Sequence, residues 1–205
     1  MPDEKEDLAV IFDLGRVLLN IHVDGPKFVA LMESMGINPQ EAFSTYWQEP
    51  EVEWHMIGTI NSFQFYQAAV DRLNLTVSYE DFVDAWCDMF TPMPGMKEIF
   101  ERVEERHVVG LLSDTDSLHW AKAKELLPWL RRVEKPTLSF EVGHVKPSRE
   151  IYLLAAQNCG RTPDDCLFID DSEINVDGAR DVGMAGLAFT SPERLARDLS
   201  KLGII

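Results

Sequence analysis

The sequence predicts an α/β fold: a doubly wound parallel sheet with a helical segment inserted after its first strand. Short apolar, β-rich runs recur at residues 8–12, 108–112, 166–169 and 185–189. Each is followed by polar or Gly-containing residues and then by a helix-like stretch. Strands buried on both faces that alternate with helices build a parallel sheet. Residues 20–93 break this alternation and carry helical patterns with no convincing strand. Hydrophobic residues make up 45% of the 205-residue chain, enough for a sizeable core and too many for a disordered chain.

The first run ends at Asp13. In the stretch that follows, Gly36-Ile37-Asn38-Pro39, Gly58 and Asn74 read as breakers between helices. Ser78-Tyr79-Glu80-Asp81 is a helix start, with Phe82, Ala85, Trp86 and Met89 on one face. Twelve of the 20 aromatic residues fall within this insert, and Trp47, Trp54 and Trp86 read mainly as its core. Residues 137–141 suggest a further short strand. Pro147 and Ser148 precede the amphipathic run 150–158, with Gly160 in C-cap position. Ser191-Pro192-Glu193 opens a terminal helix with a capping residue and a first-turn proline. The expected organisation is an α/β core of residues 1–19 and 94–205 with a helical cap of residues 20–93.

The formal net charge of −16 argues against nucleic acid, whose phosphates reward Lys and Arg. Cys87, Cys159 and Cys166 form no CxxC pair, so they suggest neither a zinc site nor a disulfide framework. The N-terminus is acidic and polar without a signal pattern, and no apolar run approaches the roughly 18 residues that span a bilayer. A soluble, cytoplasmic protein without a membrane partner is expected. Nothing in the sequence indicates the oligomeric state.

In an open parallel sheet, ligands bind beyond the carboxyl ends of the strands. Asp13, Ser113, Asp114, Asp170 and Asp171 follow three of the runs and should converge there, with Lys146 in a loop before a helix. Carboxylates brought together repel unless a cation holds them, and hard oxygen donors of this kind suit Mg²⁺. Lys146 could orient a carboxylate and contact a phosphate oxygen, and Ser113 offers a hydroxyl and nearby N–H groups to the same oxygens. A carboxylate nucleophile would split hydrolysis into two steps through an aspartyl-phosphate.

These residues carry a resemblance. Phe12-Asp13-Leu14-Gly15-Arg16-Val17-Leu18, Leu111-Leu112-Ser113-Asp114-Thr115, Lys146-Pro147-Ser148-Arg149-Glu150-Ile151-Tyr152 and Phe168-Ile169-Asp170-Asp171-Ser172, with Asn175, Gly178 and Ala179, stand in order. Together they resemble the four motifs of the haloacid dehalogenase-like superfamily, and the insert resembles its small cap. The resemblance implies a Mg²⁺-dependent hydrolase of small phosphate esters. Asp13 would be nucleophile and metal ligand, the Gly15 carbonyl and Asp171 further ligands, and Asp170 a partner of metal-bound water or of Lys146. Lys146 would share in catalysis, and with Ser113 and Asp114 in binding substrate.

Two positions depart from the pattern. Gly15 stands where the commonest phosphatase motif has a second Asp as leaving-group acid, which leaves that role vacant; His119 and His144 lie near motifs. Asp114 stands where relatives often carry Asn, and an anion there disfavours phosphate unless it is paired or turned away. Arg16 reads as solvated, Asn175 as a backbone or site residue, and Gly178 as permitting close helix packing. Two other readings remain: dehalogenation by the same aspartate, against which the Asp170–Asp171 pair speaks, and a catalytically silent relative. Residues 20–93 carry 11 Asp and Glu against 2 Lys and Arg, so a neutral or cationic group on the phosphate is expected.

Overall fold

The structure, a computed structural model, describes residues 8–22, 24–41 and 48–205. The polar N-terminal residues 1–7 and Trp47 lie outside the described residues. The strands are β1 (Ala9–Phe12), β2 (Leu19–Ile21), β3 (Phe90–Pro92), β4 (Val108–Ser113), β5 (Thr137–Leu138), β6 (Cys166–Asp170) and β7 (Ala185–Ala188). Five of them form one parallel sheet in the order β5-β4-β1-β6-β7. The chain therefore leaves β1 towards one edge and returns to its other side, which makes the carboxyl end of β1 the topological switch point.

Alternation along the strands gives the sheet two apolar faces. Val10, Phe12, Leu111, Leu167 and Ile169 pack with Phe100 and Val103 of α5 (Met96–Glu104), Trp120 and Ala123 of α6 (Ser117–Leu126) and the terminal Pro192–Lys201 helix. Ala9, Ile11, Leu112, Cys166 and Phe168 face the opposite way. They meet Ile151, Tyr152 and Ala155 of α8 (Arg149–Asn158) and Ala179 of α9 (Glu173–Asp181). Ser191 caps the terminal helix by accepting from the Arg194 N–H.

Between β2 and β3 lie α1 (Pro26–Ser34), α2 (Pro50–Met56), α3 (Ser62–Leu73) and α4 (Tyr79–Trp86). They share a core of Phe28, Met32, Phe65, Ala69, Phe82 and Trp86. Asn61 and Gln64 form a capping box at the start of α3, and Ser78 caps α4 through the Asp81 N–H. Asn74 ends α3 in the left-handed conformation. The expected breakers and helix starts thus hold.

Two sequence expectations differ from the structure. Residues 20–93 were to contain no strand, yet β2 and β3 pair antiparallel where the helical segment joins the core, with Leu19 opposite Pro92 and Ile21 opposite Phe90. Three residues are too few to show a period of two. Residues 137–141 hold only a two-residue strand, which runs straight into the single turn α7 (Ser139–Val142). Among the described residues, no helix is long and apolar enough to cross a membrane.

Gly110 tests the packing of α8 on the sheet. A Cβ there would lie 2.5 Å from Cys159 Sγ and 3.0 Å from Ile11 Cγ1. Gly110→Ala should cost about 1–3 kcal/mol in urea unfolding, and Cys159→Ala should recover part of that loss in the double variant. A single variant as stable as the parent would show that the sheet and helix are not in such close contact.

Candidate active site

Register brings the two innermost carboxylates together. Phe12 pairs with Ile169 across β1 and β6, and the Asp13 N–H continues the ladder to the Ile169 carbonyl at 2.9 Å. Asp13 and Asp170 are therefore level neighbours on adjacent strands, and both are buried. Lys146 lies between them: its Nζ donates to Asp13 Oδ1 and to Asp170 Oδ2, each at 2.7 Å. Its side chain is only 3% exposed, and Nζ also sits 5.6 Å from the centre of the Phe168 ring.

Each member of this trio is held by something else. Asp170 accepts from the Ser172 N–H at 2.8 Å and from Asn175 Nδ2 at 3.1 and 3.2 Å. Tyr152 Oη donates to the Asn175 carbonyl. Gly178 lets α9 approach, since a Cβ there would come within 2.8 Å of both Pro147 Cβ and Tyr152 Oη. Asp114 Oδ1 accepts the Lys146 backbone N–H at 3.0 Å. The unexpected anion is thus paired, and it fixes the lysine's backbone. Ser113 is buried at the end of β4. The next loop is pinned by Ser139, whose Oγ accepts the Thr115 N–H and donates to the Thr115 carbonyl, both at 2.9 Å.

The charges follow from this burial. Desolvation pushes Asp13 up to about 7, against the pull of Lys146 and with added repulsion from Asp170. Burial likewise raises Asp114, against the attraction of Lys146. For Lys146, burial opposes the ammonium, but Asp13, Asp170 and Asp114 outweigh it and raise its pKa above the ordinary lysine value. Asp171 is exposed at the rim, where desolvation and Asp170 raise it. Arg16, largely solvated as its sequence position suggests, approaches Asp171 to 3.8 Å. Asp13, Asp170 and Asp171 each offer an oxygen within 4.8 Å of the others.

A cavity of about 90 Å³ opens beside this cluster. Its lining includes Gly15, Ser113 and Asp114 together with the aromatic residues Phe65, Trp86 and Phe90. His55 of α2 and His119 of α6 also line it. Asp116 Oδ2 lies 2.9 Å from His119 Nδ1 and 3.9 Å from His55 Nδ1. Its Oδ1 caps α6 by accepting the Leu118 and His119 N–H groups. Burial opposes the Asp116 charge, but His119 and His55 outweigh it and hold the carboxyl at about 2. Burial lowers His55.

Asp13, Ser113, Asp114, Lys146, Asp170 and Asp171 therefore all meet at the carboxyl ends of β1, β4 and β6. Asn175, left open between two roles by the sequence, bonds Asp170 directly. Ser113 does not cap α6; Asp116 does. His144 is half-buried and lies outside the cavity lining. The sequence reading missed Asp116 and Ser139, and the only signal for Asp116 was its place as a capping Asp directly after the second motif.

A buried lysine thus bridges two carboxylates at the switch point of a doubly wound sheet, with a third carboxylate at the rim, so residues of all four sequence motifs stand together. The family profile of haloacid dehalogenase-like hydrolases matches residues 8–183, and the chain belongs to that family. It is a hydrolase. Flavin mononucleotide hydrolase 1 of Arabidopsis thaliana is 48% identical over 62 residues, 30% of this chain and a quarter (25%) of that protein. D-ribitol-5-phosphate phosphatase of Bacteroides thetaiotaomicron is 24% identical over 182 residues, covering 85% of this chain and 87% of that one. A solved haloacid dehalogenase-family enzyme of the same organism, an Asp-to-Ala variant in complex with magnesium and inorganic phosphate, is 26% identical. That match covers 90% of this chain and 94% of the other, with a TM-score of 0.77.

Lys146→Met should leave two buried carboxylates without their counter-charge. The expected cost is about 3–5 kcal/mol at pH 7, read by urea unfolding in EDTA. The loss should shrink between pH 7 and pH 5. The folded pKa of Asp13 is already raised with Lys146 present, so below it the folded state takes up a proton that the unfolded chain does not, and stability climbs as pH falls. A variant as stable as the parent at pH 7 would show that the ammonium compensates nothing.

Proposed function

We propose that this hydrolase cleaves small phosphomonoesters with Asp13 as nucleophile, through an aspartyl-phosphate, and that Mg²⁺ is its resident cation. The observation that carries this reading is the convergence of Asp13, Asp170 and Asp171 within 4.8 Å beside a buried lysine. Three carboxylates so close call for more positive charge than Lys146 and a solvated Arg16 supply. All the donors are hard oxygens, which fits Mg²⁺.

Asp170 is occupied by Lys146, Asn175 and the Ser172 N–H. Asp13, Asp171 and the Gly15 carbonyl are therefore the groups that would hold the ion, with Asp170 fixing Lys146 and meeting the ion's water. When bound, Mg²⁺ offsets repulsion between Asp13 and the substrate anion and polarises a phosphoryl oxygen. Lys146 steers the Asp13 carboxylate through the bond to Oδ1. The Ser113 hydroxyl would serve the phosphate oxygens, and the carboxylate of Asp114 is turned to the Lys146 amide, so it does not oppose the anion. Dehalogenation has no use for the acidic pair Asp170–Asp171. Residues 20–93 act as the cap, closing a small cavity and excluding water, which favours small substrates.

The relatives named for flavin mononucleotide and D-ribitol 5-phosphate support the phosphoester class. Both named substrates are phosphate esters of primary alcohols. The cap's only two cations, Lys27 and Arg72, are ion-paired with Asp84 and with Glu49 and Glu51. The cap's remaining acids therefore favour a neutral or cationic group on the phosphate.

The test is phosphate release from an aryl phosphate with and without Mg²⁺. Asp13→Asn should abolish turnover and leave the unfolding transition intact; normal turnover would exclude Asp13 as nucleophile. Saturating Mg²⁺ should raise the melting temperature, since a hundredfold excess over Kd stabilises by about 2.7 kcal/mol. Asp171→Ala should remove most of that response, and a variant that keeps it would place the ligand elsewhere.

A further inference from the structure

Gly15 gives the site no acid for the leaving oxygen, and alcohol oxygens need one. Leu14, Gly15, Ser113 and Asp114, the residues beside Asp13 and at the end of β4, line the same cavity as His119. A phosphate held at Asp13 has this cavity next to it, through Leu14 and Gly15, as the space for its ester group.

The imidazole is fixed on every side. Trp86 stacks on it, with centroids 5.4 Å apart and planes at 11°, and Phe90 meets it edge-on at 4.8 Å. Nδ1 lies 2.9 Å from Asp116 Oδ2, and Nε2 lies 3.4 Å from the Trp86 carbonyl. Both partners can only accept, so each ring nitrogen is placed to donate. The two contacts are unequal. The first is a short, charge-assisted bond; the second is at the far end of hydrogen-bond range and is easily exchanged for a better acceptor.

We propose that His119 is the leaving-group acid of this enzyme, with Asp116 as its positioning residue, and that it replaces the carboxylate Gly15 lacks. The proposal rests on the phosphoester reading above. An Asp13 oxygen bonds to phosphorus as the bond from phosphorus to the ester oxygen breaks, and the proton on His119 Nε2 passes to that oxygen. The neutral ring keeps its Nδ1–H on Asp116 and presents Nε2 as a base. In the second step a water attacks the aspartyl-phosphate. One water proton returns to Nε2, and the Asp13 carboxylate departs as inorganic phosphate forms. Atoms and charge balance over the cycle, and the acid is restored.

His55 is the nearest rival and is worse placed. Its Nε2 is engaged by Ser62 Oγ at 3.2 Å, and its Nδ1 is 3.9 Å from Asp116, beyond hydrogen-bond reach. Burial also favours its neutral form, which has less to give a departing alkoxide.

The experiment compares kcat/KM for a series of aryl and alkyl phosphates with Mg²⁺ in the parent, His119→Gln and Asp116→Asn. His119→Gln should reduce alkyl phosphate turnover about 10²–10⁴-fold and leave nitrophenyl phosphate within about tenfold, steepening the dependence on leaving-group pKa. Asp116→Asn keeps an acceptor for the α6 cap and loses the anion, so it tests the same idea if the glutamine variant does not fold. It should produce the same selective loss at smaller amplitude. Equal losses on both classes, or none on alkyl substrates in either variant, would overturn the assignment. A parent that releases no phosphate from any ester with Mg²⁺ would instead overturn the phosphoester reading.

Discussion

The Lys146 ammonium, buried between Asp13 and Asp170, is the interaction on which the rest of the site depends. Two carboxylates at the ends of adjacent buried strands repel each other and lose hydration, and burial with the added repulsion of Asp170 carries Asp13 to about 7 even with the lysine beside it. A buried charge of this kind is stable only when its partners are over-determined. The surroundings supply that. Asp114 holds the lysine's backbone N–H, and Asn175 and the Ser172 N–H hold Asp170. Gly178 gives α9 the clearance against Pro147 that keeps Asn175 in reach. The Asp at position 114, where an Asn would serve a phosphate better, is thus a structural part of the lysine loop.

The helical insert adds a second constraint. Its aromatic core meets α6 at Trp86, which stacks on His119, and its α2 brings His55 within 3.9 Å of the core residue Asp116. Ser62 and Ser117 hydroxyls meet at 2.7 Å across the same boundary. The cavity wall is therefore shared between insert and core, and its polar groups are buried ones. In such an environment a hydrogen bond to a developing charge is worth more than in water. The same enclosure limits the space to a small substrate group, or requires the insert to move for a larger one.

The strands and the acidic motif residues were legible because each follows a run of β-rich apolar residues, and position after a buried parallel strand already implies the switch point. Lys146 was legible through the proline that follows it and its place before α8. The β2–β3 pair was not, because three-residue strands show no alternation. Asp116 and Ser139 were not, for a different reason. Asp116 reads locally as an ordinary helix cap, and its second oxygen finds His119 only once α6 is wound. Its approach to His55 depends on how the insert docks. Ser139 bonds Thr115 because β5 lies beside β4, a pairing no local pattern announces. Asp114 was visible as a departure from the family motif, but its bond to the Lys146 amide required the loop to be in place.

The central claim is that Asp13 attacks phosphorus. Rapid acid quench of a Mg²⁺-loaded reaction, followed by proteolysis and mass spectrometry, reads this directly. The account predicts a phosphoryl adduct on the peptide carrying Asp13, forming before steady state and decaying as substrate is consumed. An adduct on a different residue would contradict it. So would phosphate release in a reaction whose chemistry is rate-limiting in the second step and in which that peptide never gains a phosphoryl group.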